Sequence, residues 1–230
     1  MGAAKRGIMK KSILIACETL REELEKLIQH TGIQMDLVWM NGGLHTSPKN
    51  LRENLQIEIN KHDGLYEDII LVYGFCGGGT ENLETKSSSL ILPRAEDCIS
   101  ILLGGNCSRS HVNERDMAVF LTRGWIRTFN QMEGLNIRSL KEKYGDDQGK
   151  DLYRRIYRGY RNIDIIDTGA YRLEEIDEDI SEIQDVLGLS CKTIDGSLVL
   201  IEKLLNRDWD EDFIVKGPGL RVEKKDYYRP

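Results

Sequence analysis

Asp68-Ile69-Ile70-Leu71-Val72-Tyr73-Gly74-Phe75, running directly into Cys76-Gly77-Gly78-Gly79, is the stretch that decides the fold. An unbroken apolar run closed by glycines reads as a strand buried on both faces, as in a parallel sheet. Outward from it, apolar runs alternate with amphipathic stretches. Ser12–Ala16 (SILIA) is another buried strand, and Glu18–His30 comes next with Leu20, Leu24, Leu27 and Ile28 at helical spacing before Gly32. Asp36–Asn41 predicts a strand ending at Gly42-Gly43, and Pro48–His62 a helix with proline in its first turn. Leu90–Leu92 and Met117–Thr122 predict the fourth and fifth strands, with a helix through Cys98–Leu103 between them. Beyond Arg127 the chain is less regular. Arg127–Gly159 reads as charged helices, Tyr171–Leu187 as an acidic helix and Ser197–Asn206 as another, with strands at Asn162–Asp167, Cys191–Ile194 and Phe213–Val215. This alternation predicts an α/β domain over 12–220. Its expected form is a mostly parallel open sheet with helices on both faces, three-layered and flavodoxin- or Rossmann-like, with a helical insertion at about 127–159. Residues 1–11 are expected to be flexible and 221–230 a loose tail.

Composition narrows the function classes. With 32 basic and 38 acidic residues among 230, the net charge is −6, which argues against binding duplex nucleic acid. No apolar run approaches the roughly 20 residues of a membrane span. The basic start leads into an apolar run too brief for a signal peptide. These features predict a cytoplasmic protein, in which a disulfide framework is not expected.

In an open parallel sheet, ligands bind beyond the carboxyl ends of the strands, near the point where strand order reverses. Cys17, Cys76 and Cys98 all come directly after predicted strands; in the order 2-1-3-4-5 their strands are neighbours. Three converging thiols suit a soft divalent metal. Zinc takes thiolate and imidazole and, in catalytic sites, leaves one position open. His45, Glu96 or Asp97 would supply a fourth or supporting group. Helix starts after Cys17 and Cys98 would favour the thiolate form. A three-cysteine iron–sulfur cluster is the alternative cofactor. Set against both is simple packing, since cysteine is among the most buried residue types. Cys107 and Cys191 have no comparable placement. In the loop Gly77-Gly78-Gly79, consecutive amides could cradle an anion, or the segment could be a tight turn with Thr80 as a helix cap. It carries neither nucleotide-binding fingerprint. Arg94 could hold an anionic group or pair with Glu96 or Asp97. Asp97 is placed to cap a helix at Cys98, and Trp125 lies just past the fifth strand.

Several of these segments, taken in order, resemble one family: Ala16-Cys17-Glu18, Leu44-His45 with Pro48, Tyr73-Gly74-Phe75-Cys76-Gly77, Pro93-Arg94-Ala95-Glu96-Asp97-Cys98 with Leu102-Leu103-Gly104, and Leu121-Thr122-Arg123-Gly124-Trp125. It is the uncharacterised family called domain of unknown function number sixteen thirty-eight, and the similarity spans about Ser12 to Leu220. Its members are often encoded beside corrinoid-dependent methyltransferases in methanogens and anaerobic bacteria. The family's pattern usually has histidine where this chain has Glu96. The resemblance singles out Cys17, His45, Cys76 and Cys98.

Three readings are open. One is a metal-dependent protein of corrinoid-linked methyl transfer. Gly77, Gly78, Gly79, Arg94 and Trp125 would line its substrate site, and its ligand would be a small thiol or anion. The second is a non-enzymatic accessory that binds or delivers a metal, a cluster or a cofactor. The third is a plain small-molecule binder whose cysteines only pack. The expected partner is a corrinoid protein or methyltransferase, and a homodimer is expected on base rates. The Asp-x-His-x-x-Gly arrangement of corrinoid binders is absent from the sequence.

Overall fold

The computed structural model describes residues 12–105 and 117–228. The long apolar runs form the centre of a five-stranded sheet. Strands β1 (Ser12–Cys17), β2 (Asp36–Met40), β3 (Asp68–Val72), β4 (Ser89–Pro93) and β8 (Phe213–Lys216) take the order β2-β1-β3-β4-β8. The first four are parallel; β8 is antiparallel to β4, with Leu90 opposite Lys216 and Pro93 opposite Phe213. Every residue of β1 and β3 is buried, because helices cover both faces, and this is why both read as continuous apolar runs. Helices α1 (Arg21–Thr31) and α2 (Pro48–His62) contribute Leu24, Leu27, Leu51, Leu55 and Ile59 to this core. Each such side chain contributes about 1.5–3 kcal/mol by leaving water.

The expected order is corrected at its fifth place. Met117–Thr122 does form a strand, β5 (Ala118–Leu121), but it belongs to a second, parallel sheet with β6 (Asn162–Asp167) and β7 (Ser190–Asp195), in the order β5-β6-β7. The place beside β4 is taken by β8. Apolar runs specify that a segment is a strand; they do not specify its neighbour. The second sheet carries its own core of Val119, Leu121, Ile126, Ile163, Tyr171, Ile176 and Ile180.

The charged stretch after Arg127 belongs to three helices, α4 (Arg123–Gln131), α5 (Ile137–Tyr144) and α6 (Asp146–Ile156). Next along the chain come α7 (Asp177–Leu187) and α8 (Val199–Asn206); a short helix, α3 (Cys98–Leu102), succeeds β4. Two predicted helices start late, because Glu18–Leu20 and Leu173–Glu175 are 3-10 turns. The tail is corrected too. Val222 and Tyr227 are buried, the Thr80 and Tyr227 hydroxyls meet at 2.6 Å, and Arg94 donates to the Asp226 carbonyl. An aromatic anchor and a half-buried arginine contact hold this segment down. Among the described residues, no helix is long and apolar enough to cross a membrane.

The two sheets meet across α1. Glu23, wholly buried there, accepts a hydrogen bond from the Thr168 hydroxyl at 2.9 Å, and burial pushes its pKa up to about 7. The folded chain therefore keeps this proton where the unfolded chain, with an ordinary value of 4.5, has lost it. The associated stability is fully present below the unfolded value and is lost as pH rises through the folded one. The window corresponds to about 3 kcal/mol. Glu23→Gln is expected to be near neutral at about pH 4 and more stable than the native chain by up to ~3 kcal/mol at about pH 8. Urea unfolding at both pH values checks this; equal effects at the two would contradict it.

Candidate metal centre

Cys17 ends β1, and His45 sits in the 3-10 turn Gly42–Thr46 just after β2. Cys98 opens α3 after β4. Their ligand atoms all lie within 4.8 Å of one another, and Cys17 Sγ is 3.1 Å from His45 Nε2. A tetrahedral zinc would hold such a sulfur and nitrogen about 3.5 Å apart, so a shift of a few tenths of an ångström opens room for the ion.

Local chemistry places each donor. Asn41 caps the His45 turn by accepting from the Gly43 amide at 2.7 Å. Asp97 caps α3 as its spacing predicts, accepting from the amide and hydroxyl of Ser100 at 2.8 and 2.9 Å. Thr19 donates to Cys17 Sγ at 3.0 Å. Gly74 lies so close to the loop before α3 that an added Cβ would stand 2.6 Å from Ala95 O and Asp97 N. That approach brings the segment after β3 alongside Cys98.

The imidazole of His45 packs against two aromatic rings. Tyr73 stacks on it at 5.9 Å between centroids, and Trp125 of α4 tilts against it at 5.6 Å. Trp125 is held there by Thr122, which caps α4 by accepting from its amide at 3.2 Å. Arg127 steadies the same helix by donating to Glu18 O at 2.6 Å and pairing with Glu22.

Cys17 and Cys98 are wholly buried. Burial, reinforced by the neighbouring Cys98, pushes the Cys17 thiol well above the usual thiol range. At Cys98 the contact with Cys17 pulls downward, but the Cys76 thiol, burial and Asp97 outweigh it and the pKa also rises. This corrects the expectation that helix starts would favour thiolates. Cys17 leads into a 3-10 turn, α3 has only five residues, and desolvation exceeds so small a dipole. The thiols stay protonated until a cation replaces the protons.

Cys76 stands at the rim. It interacts with the Cys98 thiol but lies outside the compact trio, half-buried, with its backbone at φ +49°. That conformation is costly for a residue with a Cβ and holds the side chain at the mouth instead of beside Cys17. Gly77 is exposed next to Pro48, whereas Gly78 and Gly79 are buried. The Gly78 and Thr80 amides bond to Phe75 O and the Gly79 amide to Cys76 O, so this part of the loop is a tight turn whose amides are turned inward. No helix begins at Thr80, whose hydroxyl donates to Gly74 O at 3.0 Å. Arg94 donates to the main-chain oxygens of Glu211 and Asp226. Glu96 is exposed. Cys191 lies on β7 in the second sheet, and Cys107 falls outside the described residues.

Tyr73 is the participant that sequence reasoning missed. It reads as the end of the β3 run, yet β3 stops at Val72. A tyrosine between an apolar run and a glycine, at a sheet's carboxyl end, was the available signal. Its ring is wholly buried beside Cys17, Cys98 and Cys76, and burial keeps its hydroxyl protonated. An open depression of about 1140 Å³, bordered by Ser12, Gly32, Asp36 and Arg207, lies at the opposite end of the sheet and has no thiol or imidazole in its lining.

Residues 39–205 match the model of a family described as Protein of unknown function (DUF1638). His45, Tyr73, Cys76, Cys98 and Trp125 fall within the match and Cys17 precedes it. No curated protein and no solved structure matches the chain.

Proposed function

The chain belongs to the DUF1638 family, and from that premise and the geometry we propose a protein with a resident zinc ion held by Cys17, His45 and Cys98. The observation that carries this reading is the convergence of two buried thiols and an imidazole from three separate strand ends. Two sulfurs and a nitrogen are the donors of a catalytic zinc site that keeps one position open. An iron–sulfur cluster usually takes four cysteines, and one imidazole with a single further thiol nearby suits it less. Complete burial of Cys17 and Cys98 favours an ion that is retained over one that is delivered to a partner.

The finer proposal concerns chemistry. Zinc, when bound, lowers the pKa of an incoming thiol and presents it as a nucleophile. Around it, Cys17 and Cys98 give up their protons as the ion enters, His45 offers Nε2, and Tyr73 and Trp125 keep water from the imidazole. The acceptor would be a small thiol and the methyl donor a methylated corrinoid on a partner protein. In such a transfer a carbon–sulfur bond would form as the carbon–cobalt bond of the partner's corrinoid breaks, the electron pair staying on cobalt and the thiol proton leaving to solvent. The thiolate-rich donor set and the company the family is expected to keep support this reading.

Metal analysis of protein purified anaerobically tests the first part: about one zinc per chain is expected, and metal-free protein that takes up no added zinc would overturn it. For the second, the zinc-loaded protein is mixed with methylcobalamin and ethanethiol. Faster loss of the methylcobalamin spectrum than in the metal-free protein is expected; equal rates would remove the methyl-transfer proposal and leave the metal centre standing.

A further inference from the structure

Two hydrogen-bond donors at this centre have no nitrogen or oxygen acceptor. The Tyr73 hydroxyl and the Trp125 indole N–H are both buried, and neither completes a hydrogen bond. Tyr73 faces the Cys17 sulfur, which is a weak acceptor. Leaving one buried donor unpaired costs roughly 1–3 kcal/mol, and orphaned groups of this kind concentrate where a ligand completes them. These two are not scattered, since their rings pack against the same His45 imidazole. The other candidate anchors are engaged elsewhere. Arg94 holds the carbonyls of Glu211 and Asp226, and the Gly78, Gly79 and Thr80 amides close their own turn.

We propose that the fourth position of a metal held by Cys17, His45 and Cys98 is a seat for a small monoanion, a thiolate in preference to a carboxylate, which accepts hydrogen bonds from Tyr73 O–H and Trp125 N–H. This rests on the zinc reading above and adds to it the class of ligand and the two residues that recognise it. Two donors beside the same imidazole would complement a negative charge there, and sulfur matches the softness of a thiolate-ligated metal. A cationic ligand would leave both donors unpaired, and a neutral acceptor would gain about half as much from them as an anion does. Cys76, at the mouth beside Cys98, is the competitor for the same position.

The test uses the full chain loaded with cobalt(II), whose visible and near-ultraviolet bands report the ligands. Ethanethiol is expected to intensify and shift the sulfur-to-cobalt charge-transfer bands already given by Cys17 and Cys98, at lower concentration than acetate perturbs the spectrum. Tyr73→Phe and Trp125→Phe keep the rings and remove the donors. Each is expected to weaken ethanethiol binding by about tenfold or more, the usual worth of a hydrogen bond to a charged group, while cobalt affinity changes less than about threefold. A purely structural role for Tyr73 would lower the melting temperature and leave the ethanethiol titration unmoved, which would overturn the proposal. So would a native protein that binds cobalt and ignores both probes; recovery of the ethanethiol response in Cys76→Ser would then identify Cys76 as the occupant. A chain that binds no cobalt fails at the zinc reading itself, a different and recognisable result.

Discussion

Cys17→Ser is expected to lower zinc affinity by about a thousandfold and to leave the purified protein nearly metal-free. Apparent zinc affinities of about 10–16 kcal/mol at neutral pH are shared among three or four ligands, so losing one thiolate removes several kcal/mol. A serine hydroxyl does not ionise to replace the thiolate. The fold should survive, since serine is close in size to cysteine and Thr19, now 3.0 Å from the sulfur, can bond to the new hydroxyl. Its cost is that of a buried hydroxyl, roughly 1–3 kcal/mol. Cys98→Ser is expected to behave alike, whereas Cys191→Ser, on a strand of the other sheet, should keep its zinc. Competition with a chromophoric chelator measures the affinity, and circular dichroism verifies the fold. Undiminished zinc in Cys17→Ser would remove this thiol from the centre.

The second large effect is expected at a backbone contact behind the centre. An added Cβ at Gly124 would lie 2.1 Å from the carbonyl oxygen of Thr19 and 2.7 Å from its carbonyl carbon. Both are backbone atoms, so no rotamer change relieves the clash. Either α4 lifts away or the turn after β1 distorts, and overpacking of this kind costs about 1–3 kcal/mol, more where the backbone must move. Gly124→Ala is therefore expected to destabilise the chain by about 3 kcal/mol or more. It should also weaken zinc binding, because the displaced pieces carry Trp125 on one side and the Cys17–Thr19 contact on the other. Gly188→Ala, where an added Cβ meets nothing within 4 Å, is a comparison at a glycine of positive φ without crowding. If Gly124→Ala melts no earlier than Gly188→Ala, the close approach is not what holds α4 in place.

The buried centre of the fold was legible because parallel strands covered on both sides have no polar face. Ser12–Ala16 and Asp68–Val72 announce themselves as uninterrupted apolar runs, and the strand-end rule then selects Cys17, Cys76 and Cys98 with His45 as a further donor, of which Cys17, His45 and Cys98 come together. The neighbour of each strand was not legible. β5 and β8 are both short and apolar, and no feature of either run says that β8 closes the first sheet while β5 joins the second. Trp125 was selected by the same rule, though it reaches the centre from an element at the end of a strand of the other sheet. Cys76 was harder, since its rim position depends on a left-handed backbone angle imposed by a glycine-rich turn. The tail was misread because its anchors are one aromatic ring and carbonyl contacts to Arg94, which leave no periodic pattern.

The donors of the centre are spread along the chain, and His45 alone comes from a short turn that few backbone hydrogen bonds secure. An ion gripping it would rivet that turn to the sheet and tie off two long loops of polypeptide, as a cross-link does. The supply of metal would then set how durable this part of the molecule is.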